Sequence, residues 1–234
     1  MGNKRTIHQR RGSGSNRYQA NTHNAKDDIE HIQEEKTGTV TSIEHDPART
    51  APVAKVKFDD ETSEYILAPE GIQEGQEITI GRDAPLESGN TLPLGQIPEG
   101  VPIHNIELQP GDGGKIARSG GTYGFVITHE RDVTKVYLPS KKIKDINPAC
   151  RATIGQVAGA GRRGTEFRKA GEKHHLAKAR GQLYPNTSAV AMNATDHPFG
   201  GSANPGKPKT VSRHGSPGQT VGSVSASRTG RKKE

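Results

Sequence analysis

The chain of 234 residues has no tryptophan, one cysteine, two methionines and only five tyrosines and four phenylalanines. The lone Cys150 excludes a disulfide framework and a cysteine-rich zinc site, and it suits a reducing compartment. No stretch approaches the ~18 consecutive apolar residues of a membrane span. The start, MGNKRTIHQRR, lacks the apolar run of a secretory signal. Met1-Gly2 followed by Thr6 touches the myristoylation pattern, but that pattern is short, and Arg5, Arg10 and Arg11 suit nucleic acid equally. A soluble, intracellular protein is expected. The hydrophobic share is 29%, and even with glycine counted it falls short of the ~45–50% apolar content of an average domain. One core filling the whole chain is therefore not expected.

Charge is abundant and segregated. The formal net charge is +7, but residues 1–26 carry +6, residues 27–114 carry −14 and residues 115–234 carry +15. Two basic stretches around an acidic block let a polyanion engage both ends while the middle faces elsewhere. Apolar periodicity divides the chain similarly. Alternating runs at 40–43, 53–58 (VAKVKF), 65–67, 78–80 and 103–108 predict five strands and a small OB-like barrel. After the break PGDGG (110–114), runs at 123–128, 133–138, 141–146 and 151–157 predict a compact SH3-like barrel. The expected fold class is mainly β. A basic N-terminal extension covers 1–36, the barrels 37–110 and 111–158, and a basic C-terminal extension 159–234, with one short helix near 169–180 (KAGEKHHLAKAR). Residues 158–234 hold only ten large apolar side chains, too few to repay the ordering of their backbone. This tail is expected to be disordered or ordered by a partner, and Arg and Lys set among Gly and Pro favour a polyanion.

Several motifs invite sharper readings. GAGRRG (159–164) follows an expected strand and matches a dinucleotide-binding glycine pattern, yet no amphipathic helix opens at its third glycine and no carboxylate stands about 20 residues on. The simpler chemistry is close phosphate approach over bare backbone, with Arg162 and Arg163 as donors. GSANPGKP (201–208) nearly spells a P-loop, but Pro208 offers neither hydroxyl nor N–H. Asp196-His197 suggests a general base, but adjacent residues rarely align as a catalytic pair, and no activated nucleophile accompanies them. His174-His175 lacks the spacing of a metal pair. Hydrogen bonding of these imidazoles to RNA is the favoured reading. No catalytic residue and no metal site are assigned, and the sequons at Asn186 and Asn193 are taken as chance matches.

Together, IEHDPARTAPVAKVKF (43–58), LAPEGI (67–72), NTLPLGQIPEG (90–100), PGDGGKIAR (110–118), CRATIGQVAGAGR (150–162), KAGEKHHLAKARG (169–181), AMNATDHPFGG (191–201) and RTGR (228–231) resemble ribosomal protein L-two of the large subunit in its archaeal form. The resemblance runs in order through nearly the whole chain. It implies an OB-like barrel, then an SH3-like barrel, with basic extensions threading into large-subunit rRNA. It also implies a primary rRNA binder that supports subunit association, tRNA placement and the peptidyl-transferase centre, without enzymatic activity. The implied partners are large-subunit rRNA, neighbouring ribosomal proteins and the small subunit across an intersubunit bridge, with no membrane and no small-molecule substrate. No cofactor is implied beyond structural Mg²⁺ or monovalent ions at the RNA interface.

His197, with Asp196, falls at the position of the family's histidine near the peptidyl-transferase centre. Charge pattern and resemblance combined give an rRNA-binding set of Arg10, Arg11, Arg17, Lys115, Arg118, Arg151, Arg162, Arg163, Lys169, Lys173, His174, His175, Lys178, Arg180, Asn193, Lys207, Lys209, Arg213, Arg228 and Arg231. The chain departs from the family pattern at Ser13, Ala160, Tyr184 and Ser202. It departs most at Asn186-Thr187-Ser188-Ala189, where arginines and a glycine are usual, and no RNA contact is assigned there. A free tandem-barrel translation factor or RNA chaperone would also account for the strands, but long extensions suit permanent burial in RNA better than repeated release.

Overall fold

The computed structural model describes residues 12–201, 210–216 and 218–227, apart from the Arg163 side chain. Arg10, Arg11, Lys207, Lys209, Arg228 and Arg231 lie outside the described residues. One unit is His23–Thr165; the other joins the N-terminal segment up to Thr22 with the segment from Glu166 onward.

Ten strands form one sheet in the first unit. β1 (Lys36–Glu44) lies antiparallel between β2 (Val53–Phe58) and β4 (Glu77–Ile80), and β2 also pairs with β3 (Ser63–Leu67). In VAKVKF buried Ala54, Val56 and Phe58 alternate with Lys55 and exposed Lys57, as in a strand with one face on the core, while Val53 is buried in a separate cluster with Leu67. A register shift between Val40 and Ser42 marks a bulge in β1, which bends the strand. Val40 packs with Ala54, Val56, Phe58, Ile78 and Ile80 in one cluster.

β4 hands over to β5 (Thr91–Pro93) through the parallel pair Ile80↔Thr91. β10 (Arg151–Ile154), β6 (Pro102–His104), β7 (Gly124–His129), β8 (Thr134–Tyr137) and β9 (Ile143–Ile146) then follow, all antiparallel. Leu92, Leu94, Ile97, Ile103, Ile106, Val126, Val136 and Ile154 fill the second core. The fold is mainly β, as the periodicity predicts, and agrees with an OB-like barrel followed by an SH3-like one.

Some details differ from the sequence reading. The strand expected over 103–108 ends at His104 because Asn105 turns to φ 48°, and it pairs with β7 and β10 rather than with the first four strands. β5 is not anticipated, since three residues cannot display an alternation. Residues 23–36, placed with the N-terminal extension, pack into the first unit, where Ile29 and His31 are buried. No strand is expected beyond Val157, yet β11 (Thr210–Val211) pairs in parallel with β12 (Ser223–Val224).

The second unit is organised by α1 (Ala170–Ala179), within the predicted span. The Arg168 N–H donates to the Glu172 carboxylate at 3.0 Å, which puts a negative charge in the first turn where the helix dipole favours it. At the other end the Gly181 N–H donates to the Lys178 carbonyl at 3.1 Å and the Gln182 N–H to the Ala177 carbonyl at 2.8 Å. These two bonds form a Schellman stop, which needs the left-handed φ of 64° at Gly181. A Cβ there would sit 2.6 Å from the Tyr18 carbonyl oxygen. Glycine thus also lets the N-terminal segment lie against the helix end, where the Asn21 N–H donates to the Ala179 carbonyl at 3.1 Å.

Candidate nucleic-acid interface

The densest group of predicted contacts falls on α1 and its flanks. Lys169, Lys173, His174, His175, Lys178 and Arg180 are all exposed, and Ala177 is the one buried residue of the ten in the helix. A helix so polar on every side gains little from packing, so its basic side chains face solvent on more than one side. The Lys173 ammonium lies 5.2 Å from the centre of the Tyr184 ring, within cation–π range. The His174 and His175 rings meet edge-on at 5.5 Å. Arg17, also exposed, closes a short 3₁₀ turn at Asn16–Tyr18 in the same unit. Arg213 is exposed next to β11.

The loop carrying His197 is closed on itself. Asn193, itself exposed, offers its carbonyl to the N–H groups of Asp196 (3.0 Å) and His197 (3.2 Å). The Gly200 N–H returns to the His197 carbonyl at 2.9 Å, and the Gly201 N–H to the Met192 carbonyl at 3.2 Å. A Cβ on Gly200 would lie 2.3 Å from the Asn193 oxygen, so backbone crosses backbone there. His197 is 4% exposed. Its Nδ1 accepts the Phe199 N–H at 3.0 Å and its ring tilts against Phe199 at 5.0 Å. With Nδ1 accepting, the neutral ring carries its proton on Nε2. Asp196 is half-buried beside it. His197 is therefore a brace for the loop in this conformation, with Asn193 presented outward.

In the first unit, Gly159 takes φ 84° ahead of a 3₁₀ turn, Ala160–Arg163, which leaves Arg162 exposed. Lys115 is exposed after the paired glycines 113–114. Arg118 and Arg151 are placed differently from the expectation. The Arg118 guanidinium donates to the carbonyls of Gly114 (2.8 Å) and Ile29 (2.6 Å), and burial, with the Arg49 charge nearby, pulls it below the usual arginine range. Arg151 donates to the carbonyls of Ile32 and Gln33. Both forks are spent on backbone, holding residues 29–33 to the sheet. The buried carboxylate of Glu107, absent from the predicted set, accepts N–H groups from Gly111, Gly113 and Arg151. It shapes the turn that presents Lys115. The detectable signal was the glycine-rich turn PGDGG, whose free N–H groups require an acceptor.

Two clefts of this unit have the wrong sign for phosphate. One of 600 Å³ is lined by Glu34, Glu35, Asp59, Asp60 and Asp83, another of 690 Å³ by Asp27, Asp28, Glu30 and Glu34. Lys36 lies between them, 2.6 Å from Asp60 and 2.8 Å from Glu34, and holds the Asp60 carboxyl down to about 2. Among the described residues no three His, Cys, Asp or Glu side chains converge on a metal position, and no helix is long and apolar enough to cross a membrane.

Residues 2–80 match the family described as Ribosomal Proteins L2, RNA binding N-terminal domain, and residues 87–224 match Ribosomal Proteins L2, C-terminal domain. The chain is 53% identical over 229 residues to the large ribosomal subunit protein uL2 of Haloarcula marismortui, covering 95% of each chain. It is 51% identical over 234 residues to that of Natronomonas pharaonis, covering 97% of this chain and 96% of the relative. With the uL2 of Methanococcus maripaludis strain C7 it shares 50% identity over 238 residues, 98% of this chain and 99% of the relative.

Proposed function

The chain belongs to the ribosomal protein L2 family, and from that premise we propose how its surface serves the particle. It is a structural, rRNA-binding constituent of the large ribosomal subunit, which is cytoplasmic. The basic helix α1 and the Arg162 turn engage rRNA phosphate and the loop 192–201 offers Asn193 to rRNA, while the carboxylate-lined clefts of the first unit face away from it, toward neighbouring proteins. In that position the chain supports subunit association across an intersubunit bridge, tRNA placement and the geometry of the peptidyl-transferase centre. Peptide transfer belongs to RNA, and the chain acts as scaffold. It requires no cofactor; Mg²⁺ or monovalent ions at the interface neutralise phosphates that no side chain reaches.

The observation that supports this most is α1 itself, with six exposed basic or imidazole side chains along 169–180 and one buried alanine. Such a surface is stable and useful against a polyanion. Binding of the full chain to large-subunit rRNA should weaken by ~10³–10⁵ between 50 and 200 mM salt if ~6–10 phosphates are engaged. Affinity that does not change with salt would overturn the phosphate-contact reading.

A further inference from the structure

The second half of the sheet carries a partly exposed aromatic face, with Phe125 and Tyr137 half-buried and Tyr123 exposed. Phe125, Tyr137 and Ile143 stand opposite one another across β7, β8 and β9, so their side chains share one face. Phe125 and Tyr137 stack at 4.8 Å and 21°. Tyr123, two residues before Phe125, lines a pocket of 260 Å³ with both rings, Leu138, Pro139 and Lys141. Tyr123 is 44% exposed and Ile143 60%. Apolar surface this open on one sheet face marks a site of contact, and the pocket is smaller than the ~300–1,000 Å³ of a cofactor-sized cleft.

Charge selects the occupant. No acidic side chain lines the pocket, in contrast to the two carboxylate clefts of the same unit. Lys141, held at φ 63° in the β8–β9 turn, stands at its rim with Lys142 next to it, both exposed. Neither has an acidic partner among the described ion pairs. The far end of the row is neutralised instead: Lys135 is ion-paired with Glu130, and Asp145 stands opposite Lys135. An anion is therefore favoured at the Lys141 end alone, beside the rings.

We propose that this face takes one unstacked nucleobase of large-subunit rRNA against Tyr123 and the Phe125–Tyr137 pair, with its phosphate at Lys141 and Lys142. The proposal rests on the family's rRNA-binding role and adds a stacking site to it. Aromatic platforms of this kind hold single-stranded bases without reading their sequence.

Ultraviolet irradiation of the complex between the full chain and large-subunit rRNA, followed by mass spectrometry, tests it. A nucleotide adduct on Tyr123, Phe125 or Tyr137 is expected. Adducts confined to residues 160–201 would overturn the stacking site and leave the rRNA-binding role intact. A chain that neither binds nor crosslinks to rRNA would overturn both. In intact large subunits, chemical crosslinks from Lys141 and Lys142 to a neighbouring protein that covers the rings would assign the face to a protein and overturn the proposal. Independently, Tyr123→Ala should weaken rRNA binding about 5- to 150-fold, the range of about 1–3 kcal/mol per stacked base, with an unchanged salt slope, and Tyr123→Phe should restore it. Undiminished affinity of Tyr123→Ala would count against the site.

Discussion

The Phe199 backbone N–H donates to Nδ1 of His197 at 3.0 Å, inside a loop where Gly200 is pressed against the Asn193 carbonyl. The histidine is buried and its ring lies against Phe199. Its role within this chain is thus to hold the shape of residues 192–201. His197→Ala should release the Phe199 amide to exchange, with a local loss of about 1–3 kcal/mol for an unsatisfied buried donor. His197→Asn, whose Oδ1 can occupy the Nδ1 position, should retain much of the protection. Hydrogen exchange at Phe199 reads both, and equal protection in wild type and His197→Ala would contradict the bracing role.

His104 and His31 are both buried, and burial pushes His104 down to about 4 and lowers His31 as well. The His104 Nδ1–H donates to the Gly155 carbonyl at 2.9 Å. An unfolded histidine takes up its proton near pH 6.5, so the unfolded chain binds more protons below that value. Stability of the first unit should fall as pH drops from 6.5 toward 4, by up to about 3 kcal/mol for His104 at about 1.4 kcal/mol per unit. His104→Asn, which keeps a donor but does not titrate, should flatten the profile. Denaturant midpoints measured across this pH range check the slope.

Arg118 and Arg151 separate structural from RNA-directed cations. Their forks bind carbonyls of residues 29–33, so Arg118→Ala and Arg151→Ala should each cost the first unit about 1.5–3 kcal/mol and leave the salt dependence of rRNA binding unchanged. Lysine replacements should not rescue them, because an ammonium lacks the planar fork. Lys173→Ala and Lys178→Ala should do the reverse: each lowers the salt slope by about 1 and leaves the unfolding midpoint of residues 23–165 in place.

These contrasts show what could be read in advance. VAKVKF forms β2 with the expected limits because the alternation from Ala54 to Phe58 is a direct print of one buried face. KAGEKHHLAKAR likewise became α1, closed by a glycine already visible at position 181. Thr91–Pro93 showed nothing, since a three-residue strand has no period and is fixed by its neighbours on both sides. The run from Ile103 looked like a strand of six until Asn105 turned it, a choice made by tertiary contacts. Residue type announced the cations of the interface but not where each points: Arg118 and Arg162 read alike, and only the carbonyls of Gly114 and Ile29 distinguish them. His197 was legible as special, whereas its burial was not.

Gly181→Ala tests the junction within the second unit. Its left-handed backbone and the 2.6 Å approach to the Tyr18 carbonyl leave no room for a methyl group. The substitution should cost about 1–3 kcal/mol of local stability and increase exchange at both the Gln182 and Asn21 amides. Unaltered exchange at Asn21 would show that the N-terminal segment does not depend on this helix stop.

On the proposed reading α1, which buries one residue of ten, is held by rRNA rather than by a core of its own. A ten-residue helix is marginal alone. Hydrogen exchange across residues 170–179 in the RNA-free protein and in the complex with large-subunit rRNA is the most direct measurement. Rapid exchange in the free chain and strong protection in the complex are expected, with the strand amides of residues 36–154 little changed. Equal, strong protection of α1 in both states would show that the helix needs no rRNA to hold it.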